Sequence, residues 1–505
     1  MPQDLPGFYY DPEKNRYFPI KGPIPGSTRK QVLPPQNPVS LPTKVPSKPK
    51  KDSRISKLVN CRELYGSIID FGDRKGSFQE ECKKKLTSQP KIWKYEGVEK
   101  DADCSLAQLH ITVETPEGQF TTDALLTGGM NGSLSLFDVR DVEQDFGHGV
   151  MTAGEFVWPE RDELGPDQTL KNIWKFNGAT LVMPSSVSSI SLPKKEHSGT
   201  DTDSTAPQRA LITTLGSELS GGALYILNLS DPVELDSNLV VIGRLRELVS
   251  LNCTIWGAET SHNGDTAVVG TNLGVSLVDL ESGVSSMICR SKSDVLSVQL
   301  IQSGNVALCG LRNGAIVTVD VRQRQRQLAR HRIPYPSRDS NRPAQKTTKP
   351  WFVLRGNIQP SCTVYMPSSV CCLASLQMYD QYFLASSMDG SIKLYDHRLT
   401  KRGPVQSYEG HVNSHSHIQL ATDASEKFLM SGGEDCKVRI WSIKSGKMLF
   451  EEKLSSSVPM AACWQGSGET ICGRQNSEKW QCAQPGSWDA WLGSAEGLLR
   501  MQFSL

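Results

Sequence analysis

The chain has 505 residues, 38% of them apolar, with 42 glycines and a formal net charge of +1. That is enough apolar material for a substantial core, and it leaves no global field to draw in nucleic acid or an anionic membrane. No run of about 18 apolar residues occurs and the first thirty residues hold no apolar leader, so the sequence reads as neither membrane-spanning nor secreted. Thirteen cysteines, none in a Cys-x-x-Cys pair, suit inert reduced thiols of the cytosol or nucleus, with Cys371 and Cys372 as small buried residues on opposite faces of a strand.

Residues 1–52 are rich in Pro, Lys and Ser and carry too little apolar surface to fold alone, so most of this stretch is expected to be a disordered tail. Within it, Phe8, Tyr9, Tyr10, Tyr17 and Phe18 flank an Asp11-Pro12 turn signal in a motif spanning 5–18. This fits an aromatic hairpin, serving as a docking peptide or as a clip on the chain's own body. The run from Lys48 to Lys51 is a weak nuclear signal, and the expected location is nuclear and/or cytoplasmic.

From 53 to 90 the spacing predicts a helix-loop-helix. Ile55, Leu58, Val59, Tyr65, Ile68 and Ile69 recur mostly at three- and four-residue intervals over 53–71, with Ser53 as N-cap and Gly72 as stop. A second, shorter helix runs from Ser77 to Thr87, with Glu80 as capping-box partner and Lys83, Lys84 and Lys85 towards its C-terminal end.

The third region, 91–505, changes grammar to period-two apolar strands separated by Gly, Asn and Asp turns. One unit returns at Leu125–Arg140, Thr266–Asp279, Val306–Arg322, Phe383–Arg398 and Phe428–Trp441, with weaker members at Ala210–Asn228 and Ala490–Gln502. Each is a strand, a tight Asx-Gly or similar turn, and a second strand. Seven such units predict an all-β fold, a seven-bladed WD40 β-propeller, whose ring closure protects strand edges that an open sheet would expose. Insertions at 142–170, 190–207, 323–358 and 466–487 read as surface loops. The third, counted from Arg322, is basic: Arg324, Arg326, Arg330, Arg332, Arg338, Arg342, Lys346 and Lys349 stand against Asp339 alone. It reads as a solvated loop, or else as a grip on phosphate or an acidic partner.

Chemistry-bearing motifs are sparse. His411, Ser431, Asp435 and Trp441 have the spacing of the structural hydrogen-bond network of WD40 repeats, a stability device. His411, His415 and His417 cluster, but no matched carboxylate or thiolate lies nearby in sequence, so no metal is expected. No phosphate-binding loop, nucleophile elbow or zinc-protease signature is present, and neither catalytic residues nor a cofactor is expected.

The informative feature is an Asp-x-Arg ending on two successive units, Asp320-Val321-Arg322 and Asp396-His397-Arg398. Residues two apart on a strand share a face, so each carboxylate can hold the guanidinium beyond it in one orientation. Equivalent repeats should deliver both arginines to one rim, on adjacent blades, as a preorganised docking edge. Asp138-Val139-Arg140, away from the other two, reads as structural.

Phe383–Arg398 resembles the sixteen-residue box of WD40 substrate receptors of cullin-4 RING ubiquitin ligases: two apolar residues, three small ones, a spacer and Asp389, two more small ones, then Ile392, Lys393, Leu394, an aromatic at Tyr395, and Asp396-x-Arg398. With the aromatic 5–18 block, the stretch from Ser293 to Arg322 and that from Lys393 to Asn413, the chain is most similar to the fourth member of the cullin-4-associated factor family, over about a third of its length. Val319 stands where an aromatic is usual before Asp320, and 142–207 has no match to the family. The resemblance implies a substrate-recognition subunit that anchors to the large damaged-DNA-binding adaptor, and through it to cullin-4 and a RING protein. The anchoring residues it implies are Arg322 and Arg398, held by Asp320 and Asp396, and the apolar stripe Ile55, Leu58, Val59, Ile68 and Ile69. The competing expectation is a WD40 scaffold in a chromatin or RNA-processing complex, with the basic loop as its grip.

Overall fold

Each repeated unit folds as an antiparallel strand pair whose turn is fixed by its own side chains. Asn313 Oδ1 accepts the backbone N–H of Ala315 at 3.1 Å, and Asp389 Oδ1 that of Ser391 at 3.2 Å. The next residues, Gly314 and Gly390, have φ of +83° and +81°, and a Cβ on either would sit 2.7 Å from the carbonyl oxygen of Met366 or His411. Glycine is therefore required twice over, by the backbone conformation and by the loop that passes above it.

The computed structural model describes residues 8–11, 16–19, 68–70, 75–115, 118–139, 149–159, 172–193, 208–217, 220–234, 244–301, 304–322, 329–335, 351–464 and 488–503. Among these, seven four-stranded blades form. Their inner strands, Ser105–Thr115, Val187–Ser191, Ile255–Thr260, Val295–Ile301, Val370–Ser375, Leu420–Thr422 and Ala461–Trp464, follow one another round a ring, the last packing against the first. Counting from Ser105, blade 4 adds Val306–Leu311, Ala315–Asp320 and Val364–Tyr365, and blade 5 adds Tyr382–Ser387, Ile392–Asp396 and Gln406–Tyr408. Blade 7 takes Trp488–Ser494 and Gly497–Phe503 from the end of the chain and its outer strand, Lys91–Tyr95, from before the first blade. Both Ile92 and Tyr95 of that closing strand are fully buried. Phe137, Phe383, Phe428, Trp441 and Trp491 fill the wedges of the ring, and burying each such side chain contributes roughly 1.5–3 kcal/mol.

Three expectations need correction. The 142–170 insertion contributes a strand, Gly149–Trp158, that pairs with the outer strand of blade 1 on one side and with Lys91–Tyr95 on the other, joining the first and last blades. The 323–358 insertion likewise forms a hairpin, Arg330–Pro334 with Trp351–Gly356, added to the outer edge of blade 3. Neither stretch shows a clean apolar/polar alternation, and in each case a neighbouring blade edge offers backbone partners that a sequence scan cannot see. Thirdly, Ile68 and Ile69 do not continue a helix: Ile68–Asp70 is a strand paired with Lys75–Ser77, as adjacent β-branched residues before a Gly-Asp turn signal favour. Ile55, Leu58 and Val59 lie outside the described residues, as do 194–207, 466–487 and most of 1–52.

The second helix forms over Phe78–Thr87, with Glu80 and Glu81 in its first turn and Lys84 and Lys85 in its last. By itself, the N-terminal unit shows the aromatic hairpin, Phe8–Asp11 against Arg16–Pro19, with Tyr10 opposite Tyr17. No disulfide joins any of the ten described cysteines. Burial pushes the Cys371 thiol up to about 12 and that of Cys372 up to about 11, so both stay protonated at physiological pH.

If the ring depends on its closing strand, Ile92→Ala should destabilise the protein by about 2–5 kcal/mol in urea unfolding. Lys91→Ala, one residue away and exposed, should stay within about 0.5 kcal/mol of the parent. Equal effects would show that the strand is peripheral.

Candidate functional site

The third strands of blades 4 and 5 both end on an aspartate that the fold almost buries. Asp320 and Asp396 keep 10% and 7% of their side-chain surface exposed, whereas Arg322 and Arg398 keep 64% and 61%. Arg322 donates its backbone N–H to Asp320 Oδ1 at 3.0 Å, its Nε to the same oxygen at 3.2 Å and its Nη2 to Oδ2 at 2.8 Å. Arg398 repeats this on Asp396, at 2.9, 3.3 and 3.5 Å. The backbone bond sets the turn, and the planar guanidinium then meets the carboxylate with two donors, leaving its outer edge to solvent.

The Arg322 hydrogen bond holds Asp320 below the usual carboxylate range, against the opposing effect of partial burial. At Asp396 burial pushes upward, and hydrogen bonds from the side chain and backbone of Arg398 outweigh it. Because the two strands occupy equivalent places in neighbouring blades, both forks emerge on the same rim. In blade 1, Asp138 instead accepts the Thr122 hydroxyl at 2.8 Å, and Arg140 lies outside the described residues.

Around Arg398 the rim carries exposed apolar side chains that sequence reasoning missed: Met378 and Tyr379 from the turn between the first two strands of blade 5, and Leu399 beside the fork. Glu426, from the corresponding turn of blade 6, holds the Met378 turn in place by accepting the backbone N–H groups of Gln377 and, at 2.9 Å, Met378. Burial pushes the Glu426 carboxyl up despite those bonds. The signal was present as two large apolar residues in a turn, where the binary pattern calls for polar ones. The helix Phe78–Thr87 reaches the same rim: Glu80 lies 3.9 Å from Lys427, Lys83 stands 5.7 Å from the Trp488 ring, and Cys82 and Leu86 are buried.

Of the four residues of the expected WD40 network, His411 keeps Ser431 within hydrogen-bond reach and meets the Trp441 ring edge-on at 6.4 Å, whereas Asp435 is paired elsewhere. His411 Nε2 lies 3.0 Å from the Gly432 carbonyl and 3.4 Å from Ser431 Oγ. Trp441 Nε1 donates to the Glu409 carbonyl at 2.9 Å. Asp435 takes Arg439 Nη1 at 2.9 Å, and Glu451 holds the same guanidinium at 2.8 Å. A nearly buried cation outcompetes an imidazole for the carboxylate, the more so because burial lowers the His411 pKa and keeps the ring neutral. His415 faces Glu434 and His417 the Leu296 carbonyl, and among the described residues no group of three such side chains could hold a metal ion.

The inner strands enclose a cavity of about 390 Å³. Gln299 bridges its wall, donating to Glu259 at 3.2 Å and accepting from Ser375 Oγ at 3.0 Å, so blades 3, 4 and 5 are tied together across it.

A family model described as the DDB1- and CUL4-associated factor 4 beta-propeller domain matches residues 353–462. That stretch holds all of blades 5 and 6, with the Asp396–Arg398 fork and the Met378 turn. DDB1- and CUL4-associated factor 4 of Bos taurus and that of Homo sapiens are each 31% identical to the chain over 159 residues, 32% of this chain and 26% of the relative. DDB1- and CUL4-associated factor 4-like protein 2 of Homo sapiens is 39% identical over 79 residues, 15% of this chain and 20% of that protein. The chain spans about a quarter of the length of the first two. It is a WD40-type propeller protein similar to this family.

A carboxyl whose folded pKa is depressed stabilises its contact above the ordinary carboxylate range and loses it as the pH falls through the folded value. The Nε–H signals of Arg322 and Arg398 should therefore be ordered in NMR relaxation at neutral pH and become mobile only below about pH 4. In the Asp320→Asn and Asp396→Asn variants they should be mobile throughout. Arginines equally ordered in the variants would show that the carboxylates do not hold them.

Proposed function

We propose that this protein is the substrate-recognition subunit of a cullin-4 E3 ubiquitin ligase, docking to the large damaged-DNA-binding adaptor and presenting a protein substrate for ubiquitination. Two things support the reading. The segment similar to the family contains the Asp396–Arg398 fork, and the relatives' names associate them with DDB1 and CUL4. The observation that carries it is the pair of exposed guanidiniums, each fixed by its own carboxylate, on adjacent blades of a closed ring.

An interface gains when its side chains are ordered before the partner arrives, because less entropy is lost on binding. Arg322 and Arg398 meet that condition as cations, and Met378, Tyr379 and Leu399 supply apolar area beside Arg398. The segment with Ile55, Leu58 and Val59 adds a second contact to the adaptor. The protein performs no bond chemistry in this role: holding substrate near a ubiquitin-loaded enzyme raises its effective concentration. Its place of action is the nucleus, the cytoplasm or both.

The test is quantitative co-purification of the adaptor with tagged protein. Arg322→Ala combined with Arg398→Ala should weaken adaptor binding roughly 30-fold, as expected of interface anchors, while the protein stays folded with a thermal melt only slightly lowered, because both guanidiniums are exposed and only Asp320 and Asp396 lose a partner. Undiminished adaptor recovery from the double variant that also lacks 53–71 would remove the proposal.

A further inference from the structure

The hairpin added to blade 3 carries a second set of arginines with the opposite electrostatic arrangement. In the strand register Arg290, on the blade's own outer strand, lies opposite Arg355, and Arg355 lies opposite Arg330 on the edge strand. Directly opposed residues share a face, so three guanidiniums stand in a row across three strands, and Arg332, two residues beyond Arg330, joins them on that face. All four side chains are exposed. Among the described residues none of the four forms an ion pair, whereas Arg322 and Arg398 each own a carboxylate. Like charges directly opposite one another are destabilising, so the row is not explained as a folding device.

The platform beneath it is rigid. Ile333, Leu354 and Cys289, on the other face of the same strands, are buried in one apolar cluster with Val319 and Ile358. Tyr365 donates its hydroxyl to the Pro334 carbonyl at 2.7 Å, and Asn313 Nδ2 donates to the Tyr335 hydroxyl at 3.3 Å, fastening the hairpin to blade 4. The half-exposed Trp351 holds the Arg332 guanidinium 4.7 Å above its ring.

We propose that this arginine row is a docking face for an acidic, extended segment of a partner protein. Across the strands the backbone positions of the arginines repeat at about 4.8 Å, and along the edge strand those of Arg330 and Arg332 are about 6.8 Å apart. The latter is also the repeat of alternate side chains on an extended peptide, so acidic residues at every second position of a peptide lying along the edge strand fall in register with Arg330 and Arg332, and Arg355 and Arg290 add positive charge behind them. Arg330–Pro334 is the last strand of its sheet among the described residues, so a peptide can also lie along its edge. A nucleic acid fits less well, because the Trp351 ring, the surface on which a base would stack, already carries Arg332. The assignment goes beyond adaptor docking and does not depend on it, since it uses a different blade edge.

The experiment uses the full chain and a fluorescent peptide of about twelve residues with alternating Glu and Thr, read by anisotropy. The peptide should bind in a salt-sensitive manner, and Arg330→Gln with Arg355→Gln should weaken it at least tenfold. The melting temperature of that variant should hold or rise as like-charge repulsion is relieved, whereas a structural role would lower it. Arg322→Gln with Arg398→Gln should leave peptide binding unchanged, which separates this test from that of adaptor docking. The proposal is overturned if the peptide does not bind, if the Arg330/Arg355 variant binds it as tightly as the parent, or if oligothymidylate binds more tightly than the peptide and is lost in that variant.

Discussion

The structure depends on one strand that crosses the join of the ring. Lys91–Tyr95 pairs with Gly497–Phe503 on one side and with Gly149–Trp158 on the other, so residues from before the first blade and from the first insertion are built into the last. Short strands held by few backbone bonds each are weak in isolation, and ring closure removes the long free edges that would let them slip or pair with another molecule. Closure also fixes the angle between neighbouring blades, which turns a repeated sequence feature into a repeated position in space.

The rim site follows from that constraint. An Asp-x-Arg pair at the end of a strand orders one guanidinium, and two such pairs in adjacent blades order two guanidiniums relative to each other. Glu426 extends the same logic from side chains to backbone, reaching from blade 6 to hold the turn that exposes Met378 and Tyr379 in blade 5. The edge hairpin shows the contrasting case. Arg290, Arg355 and Arg330 share a rigid face with no carboxylate among them, so their charge is directed outward and remains to be satisfied. One set of arginines is ordered by internal partners, and the other is set side by side on a platform packed from below.

The repeated units were legible because their signal is local. Strand alternation, the Asx-Gly turn at Asn313-Gly314 and Asp389-Gly390, and the Asp-x-Arg endings all act within a few residues of one another. The Asp396–Arg398 fork could be read from spacing alone, since residues two apart on a strand must share a face. The partners of His411, Asp435 and Trp441 could not, because three competing acceptors and a buried Arg439 decide them, and Arg439 reaches Asp435 from the next strand. The helical reading of Ile68 and Ile69 failed for a related reason: their spacing fits a helix, but Lys75–Ser77 offers them a backbone ladder.

By itself, then, the sequence determined the number of blades, the turns that make them and the two locked cations, since each rests on stereochemistry within one unit. Only the tertiary structure decided which strand closes the ring, that two insertions would become added strands, and that four arginines from three separate strands would line one face. Those outcomes turn on which exposed blade edge has backbone groups to pair, and a one-dimensional pattern carries no record of where an edge lies.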